Sequence, residues 1–265
     1  MMTGDARAPK WAEQADYDLR FEWGPLAAST AKDGTCVIVD VLRFSTAVEA
    51  AVARGITVYP YRWRDVTAAT FAASVDAVLA GGHDPAGPSL SPASMNALQP
   101  GSALVLPSAN GSACALLAAA AGAQVGAGCL RNAAAVGAWA GKASSPVTVV
   151  ACGERWPDGS LRPSLEDLVG AGAILAAMTG EPSPEARAAM AAFGDAAPRL
   201  PEVLRRCASG RELREKGFDA DVSHAAQLNV SSTVPVLVNG AFRQATPGTS
   251  CSPSLASLAW TQVRR

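Results

Sequence analysis

Short β-branched runs alternate with alanine-rich helical stretches through the first two-thirds of this chain, an order that few architectures accommodate. Strands are expected at 35–41, 57–61, 77–79, 103–106, 124–127 and 147–151, with helices at 46–54, 65–74, 113–121 and 132–139. Runs such as Val37-Ile38-Val39 and Val147-Thr148-Val149-Val150 carry no polar face, as befits strands covered on both sides. The alternation predicts a three-layer α/β/α fold with a mostly parallel sheet. From Ser164 the pattern changes to consecutive helices. Ser164-Leu165-Glu166-Asp167 reads as a capping-box-like start of a helix to about Met178, and Ser209-Gly210-Arg211-Glu212 repeats the device. Pro182, Pro184, Pro198 and Pro201 mark the joints. Asn239-Gly240, between apolar stretches at 234–238 and 241–244, predicts a hairpin. With no linker-like segment or repeat, a single α/β domain over 1–265 is expected, with a helical insertion in its C-terminal third.

The balance of 49% hydrophobic and 17% charged residues permits a sizeable core. A net charge of −1 with scattered Lys and Arg leaves no basic field, so no nucleic-acid partner is expected. The longest alanine-rich stretch, 113–128, is interrupted by glycines and Gln124 and is too weakly apolar to span a bilayer. Charged residues precede the first apolar run, unlike a signal peptide, so the expectation is a cytoplasmic protein without a membrane partner. A homo-oligomer is compatible with this reading. The six cysteines lack zinc-ligand spacing and several lie in apolar runs, where reduced, packed thiols are expected.

Three loops follow strands and carry the chemistry. Asp40-Val41-Leu42-Arg43-Phe44-Ser45-Thr46 places a carboxylate at a strand's carboxyl end, where open α/β sheets bind ligands. The Arg43 guanidinium fork suits phosphate, and Ser45 and Thr46 add hydroxyl and N–H donors at a helix start. Ser108-Ala109-Asn110-Gly111-Ser112 joins another strand to a helix; its Asn-Gly pair permits a tight turn with positive φ, and its N–H groups could form an anion nest. An ordinary turn would use the same residues. Cys152-Gly153-Glu154-Arg155 follows a third strand, with Glu154 suited to a metal, Arg155 to an anion, and Glu166 or Asp167 to acid, base or ligand duty. Asp167 would serve equally as a helix-start charge. Cys152 invites a thiol nucleophile, but no C-x5-R loop is present and a packed thiol is preferred. His83 and His224 lack metal-spaced partners. No G-x-G-x-x-G follows a strand, which disfavours a nicotinamide-binding protein.

Together these segments resemble the 2-phosphosulfolactate phosphatase family. The resemblance rests on Asp40 to Thr46, Ser108 to Ser112, Gly153-Glu154, and Ser164-Leu165-Glu166-Asp167-Leu168-Val169-Gly170-Ala171-Gly172, with Asn132 and Gly217-Phe218-Asp219-Ala220-Asp221-Val222 in support. It implies an Mg²⁺-dependent phosphatase that removes phosphate from 2-phospho-3-sulfolactate, a step toward coenzyme M. In that picture Asp40 is metal ligand or nucleophile, and Glu154 or Asp221 completes the metal site. Arg43, Ser45, Thr46, Asn110, Gly111 and Ser112 hold phosphoryl oxygens, Arg155 takes a second anionic group, and Asp167 joins the catalytic set. One departure stands out: the family's G-F-D-x-G-N-S-P segment is replaced by residues 82–92, where only Ser91-Pro92 survives. The alternative is therefore a non-catalytic or substrate-shifted member that binds a phosphorylated or anionic metabolite.

Overall fold

The computed structural model describes residues 13–32, 34–82, 87–143 and 146–246. In chain order the first half contains β1 (Leu19–Trp23), α1 (Gly24–Thr30), β2 (Thr35–Val39), α2 (Phe44–Ala53), β3 (Thr57–Tyr61), α3 (Val66–Ser74) and β4 (Val78–Leu79). There follow β5 (Ala103–Pro107), α4 (Gly111–Ala120), β6 (Gln124–Gly128), α5 (Ala133–Ala140) and β7 (Val147–Ala151). A two-stranded ribbon, β8 (Glu154–Arg155) with β9 (Leu161–Arg162), precedes the helices α6 (Leu165–Leu175), α7 (Pro184–Ala196), α8 (Leu200–Arg206), α9 (Ala208–Glu215) and α10 (Asp219–Ala225). The hairpin β10 (Pro235–Val238) and β11 (Ala241–Gln244) comes last, turning at Asn239 and Gly240, both at positive φ as a two-residue turn of this kind requires.

Among the described residues, nine strands form one sheet in the order β1-β7-β2-β6-β10-β11-β3-β5-β4. The expected mostly parallel α/β sheet is present, but the C-terminal hairpin lies in its middle rather than at an edge. β1, β7, β2 and β6 are mutually parallel, as are β3, β5 and β4; the hairpin pairs antiparallel to β6 on one side and to β3 on the other. Three antiparallel steps therefore reverse β5 relative to β2 by local pairing. The loops after β2 and β5 nonetheless meet, where the Gly111 N–H donates to Asp40 Oδ2.

Each central strand is buried on both faces, as its apolar run implies. Val37 and Val39 of β2 join a core with α5, α6 and α7, while Cys36 and Ile38 join a second core with α2 and α4. The edge strand β1 was not expected from sequence. Its outer backbone is covered by the Gln14 side-chain amide, which donates to the Phe21 carbonyl (2.8 Å) and accepts from the Phe21 N–H (3.2 Å). The helix expected to start at Ser209 instead begins at Ala208, with the Cys207 thiol accepting from Gly210 N–H (3.3 Å). Among the described residues no helix is long and apolar enough to cross a membrane.

Candidate active site

The site begins where β2 ends. Asp40 is buried, and both its oxygens accept backbone N–H groups: Oδ1 from Phe44 (3.1 Å) at the start of α2, Oδ2 from Gly111 (3.0 Å) at the start of α4. Gly111 does not have positive φ, contrary to expectation; glycine is needed because a Cβ there would lie 2.8 Å from Asp40 Oδ2 and 2.2 Å from Phe44 Cδ1. The three hydroxyls expected to face phosphate are fully buried and otherwise engaged. Ser45 Oγ donates to the Ile38 carbonyl (3.0 Å) and accepts from Asp40 N–H (2.9 Å). Thr46 donates to Val41 (2.7 Å) and Ser112 to Leu106 (2.9 Å). Their hydroxyls fix the loops. The donors left for an anion are main-chain groups: the N–H groups of Ser112 and Ala113, in the same first turn as Gly111, have no acceptor among the described residues.

The third loop is tied to the first through Asp167. Its Oδ1 accepts from Val41 N–H (2.7 Å), and its Oδ2 from Gly153 N–H (2.9 Å) and the Ser164 hydroxyl (3.0 Å). A clasp this close requires α6 to lie against β2, and Gly170, one turn on from Asp167, allows it. A Cβ at Gly170 would fall 2.6 Å from a Val41 methyl, while one at Gly172 would fall 2.0 Å from the Ala189 carbonyl oxygen of α7. The G-A-G of the motif is thus a packing device that delivers an acidic side chain. Glu154, half-buried, accepts from Asn110 Nδ2 (3.2 Å), and so joins the third loop to the second.

The arginines are arranged differently from the sequence expectation. Arg43 donates to Asp221 Oδ2 at 2.6 Å, with its guanidinium 4.3 Å from the Phe218 ring centroid. Asp221 Oδ1 accepts from the Ser91 hydroxyl at 2.6 Å. Asp221 therefore serves Arg43 and Ser91; the structure does not bring it to Asp40 and Glu154 as a metal ligand. Arg155 is exposed and donates to the Gly159 carbonyl within its own turn (3.0 Å), so it is not brought to the site. His224 lies among Arg131, Glu49 and Asp221; burial first, then Arg131, lowers its pKa against the opposing charges of the two carboxylates. His83 and Cys251 lie outside the described residues.

Crowded acidic groups dominate the electrostatics. Burial, followed by the charge of Glu154, pushes the Asp40 carboxyl up to about 7. Burial and then Asp40 and Glu166 hold Asp167 well above the usual carboxylate range, and burial likewise raises Glu154. The Cys152 thiol, buried beneath these groups, is pushed far from ionisation by burial first and the Cys114 thiol next. It is a packed thiol, and the cysteine-nucleophile alternative loses its physical basis.

A family model described as 2-phosphosulpholactate phosphatase matches residues 25–240. The chain belongs to this family. It is 32% identical over 211 residues to a 2-phosphosulfolactate phosphatase of Methanothermobacter thermautotrophicus, an alignment covering 78% of this chain and 88% of that protein. Membership places the chain among phosphoric monoester hydrolases and gives the motifs a common purpose. The segments read from sequence meet as one cluster: Asp40, Asn110, Gly111, Glu154 and Asp167 come together, whereas Arg43 and Asp221 form a neighbouring ion pair. Two further residues belong to this setting. Glu166, expected with Asp167 as an acid, base or ligand, is buried beside Asp40, Glu154 and Asp167; Arg162 was not singled out.

The donor set is oxygen-only, and its carboxylates repel one another, which suits a hard divalent cation. Among the described residues no group of three or more His, Cys, Asp or Glu side chains is disposed to hold a metal. Magnesium needs fewer, since it commonly binds through one or two carboxylates and keeps several waters. Asp40 and Glu154 fit that pattern.

Proposed function

We propose that the protein is a Mg²⁺-dependent phosphatase that hydrolyses the phosphomonoester of 2-phospho-3-sulfolactate or a closely similar anionic 2-phospho acid. The observation that carries this reading is Asp40 held between the N-termini of two helices, directly beside the unpartnered N–H groups of Ser112 and Ala113 and facing Glu154. Those N–H groups would take phosphoryl oxygens, with the α4 dipole favouring the negative charge. Asp40 and Glu154 would hold the magnesium ion, which when bound supplies the positive charge that offsets both the phosphate and the carboxylates. Without such a cation, a phosphate dianion beside four acidic side chains would be repelled. Asp167 keeps the loops at Val41 and Gly153 in register, and Asn110 orients Glu154. We place this activity in the cytoplasm, on a single domain, as a step toward coenzyme M.

Purified protein with Mg²⁺ should release inorganic phosphate from 2-phospho-3-sulfolactate, and a chelator should stop it. Asp40→Asn should remove turnover. Absence of phosphate release from every phosphorylated 2-hydroxy acid tried would overturn the reading, and undiminished activity in chelator would overturn its metal requirement.

A further inference from the structure

The ribbon β8–β9 assigns a role that Arg155 had been expected to fill. Glu154 and Arg162 are direct partners across this antiparallel pair, as are Arg155 and Leu161. Directly opposed residues project from the same face, about 5 Å apart at Cβ, and neighbours along a strand project from opposite faces. Glu154 and Arg162 therefore share one face, and Arg155 with Leu161 the other. The Glu154 face is the site face, because Glu154 accepts from Asn110 of the second loop.

Arg162, unlike Arg43, makes no direct ion pair, although its charge favours the ionised form of Glu154 across the ribbon. Arg43 is neutralised at 2.6 Å by buried Asp221 and covered by Phe218. Arg162 is half-buried and has no carboxylate within ion-pair distance among the described residues. One of its five N–H donors goes to the Ser209 hydroxyl (3.2 Å), and its guanidinium lies 5.8 Å from the Trp156 ring centroid. Two anchors thus hold the fork in place while most of its donors stay free. The Arg162 charge acts on Glu154 across the ribbon without a direct ion pair, so most of the planar fork remains open to an anion brought by the substrate.

We propose that Arg162 recognises the sulfonate of the substrate, and so selects sulfonate-bearing phosphate esters over simple ones. The choice of substrate rests on the proposed phosphatase reading. Arg162→Ala should raise KM for 2-phospho-3-sulfolactate by about 10–100-fold with a smaller change in kcat, and leave kcat/KM for p-nitrophenyl phosphate within about 2-fold of wild type. Arg162→Lys should recover only part of the loss, because an ammonium lacks the planar fork. An equal loss on both esters would mean a structural role and would overturn the assignment. Equilibrium binding of 3-sulfolactate and of lactate, measured calorimetrically without turnover, separates the two proposals. If wild type hydrolyses nothing yet binds 3-sulfolactate more tightly than lactate, and Arg162→Ala erases that preference, the assignment stands and the phosphatase reading fails. If the variant keeps the preference, or wild type shows none, the assignment falls whatever the activity.

Discussion

Replacing Asp40 by asparagine should make the metal-free protein progressively more stable, relative to wild type, as pH rises. Burial and the Glu154 charge carry the Asp40 carboxyl from 3.8 to about 7. The folded protein then keeps a proton that the unfolded chain has lost, so wild-type stability falls from the ordinary carboxylate range up to about pH 7 and levels off above it. At ~1.4 kcal/mol per tenfold in acidity the full penalty is ~4 kcal/mol, of which ~2–3 kcal/mol develops between about pH 5 and about pH 8. Asparagine carries no such penalty. It does offer one carbonyl where Asp40 accepts from two amides, Phe44 and Gly111, so one N–H loses its acceptor at ~1–3 kcal/mol at every pH. The variant should therefore lie within ~1 kcal/mol of wild type near about pH 5, and be more stable by ~1–3 kcal/mol near about pH 8. Urea unfolding of both proteins in chelator at the two pH values measures the difference. A stability gap that stays constant between them would refute the reasoning, because Asp40 would then titrate like an exposed carboxylate.

Further predictions concern packing, the ion pair and the thiol. Gly172→Ala should destabilise by ~1–3 kcal/mol, because its Cβ would strike the Ala189 carbonyl. Gly194→Ala, in the same helix pair but facing open space, should stabilise by ~0.5–1 kcal/mol; denaturant midpoints check both. Asp221→Ala strands the Arg43 charge and leaves Ser91 without its acceptor; a loss of ~2–4 kcal/mol is expected by urea unfolding, and an unchanged midpoint would show that the pair contributes nothing. Cys152→Ala should keep phosphatase activity within about 3-fold of wild type, and native Cys152 should resist alkylation near neutral pH; rapid labelling with loss of activity would count against the packed-thiol assignment.

Local patterns were readable wherever local chemistry decides them. The strands at 57–61, 147–151 and 241–244 follow β-branched or alternating runs and have the expected bounds. Asp40, Glu154 and Asp167 could be nominated because each is acidic and sits just past a strand or at a helix start. What those groups touch could not be read. Arg43 meets Asp221, and Asp221 meets Ser91, only because the helical region after Ser164 folds back over the first loop. Ser45, Thr46 and Ser112 look like phosphate donors by residue type, yet each has a main-chain carbonyl nearer at hand. Arg155 and Arg162 are equally basic in the sequence, and a two-residue pairing register separates them. The position of the hairpin was hidden too, since Asn239-Gly240 specifies a turn and says nothing of its neighbours.

That hairpin has a consequence for how the molecule comes to exist. Among the described residues β10 and β11 are the last strands in chain order, yet they are the seam between two parallel groups. Until residues 235–244 have left the ribosome, β6 and β3 each present a bare edge in the centre of what will become the sheet, and the loops after β2 and β5 have no frame to hold them together. Before those residues are added, two strand edges of the kind prone to mispairing have no partner. The strands that carry the active-site loops are thus joined through a segment that supplies none of the acidic side chains of the cluster.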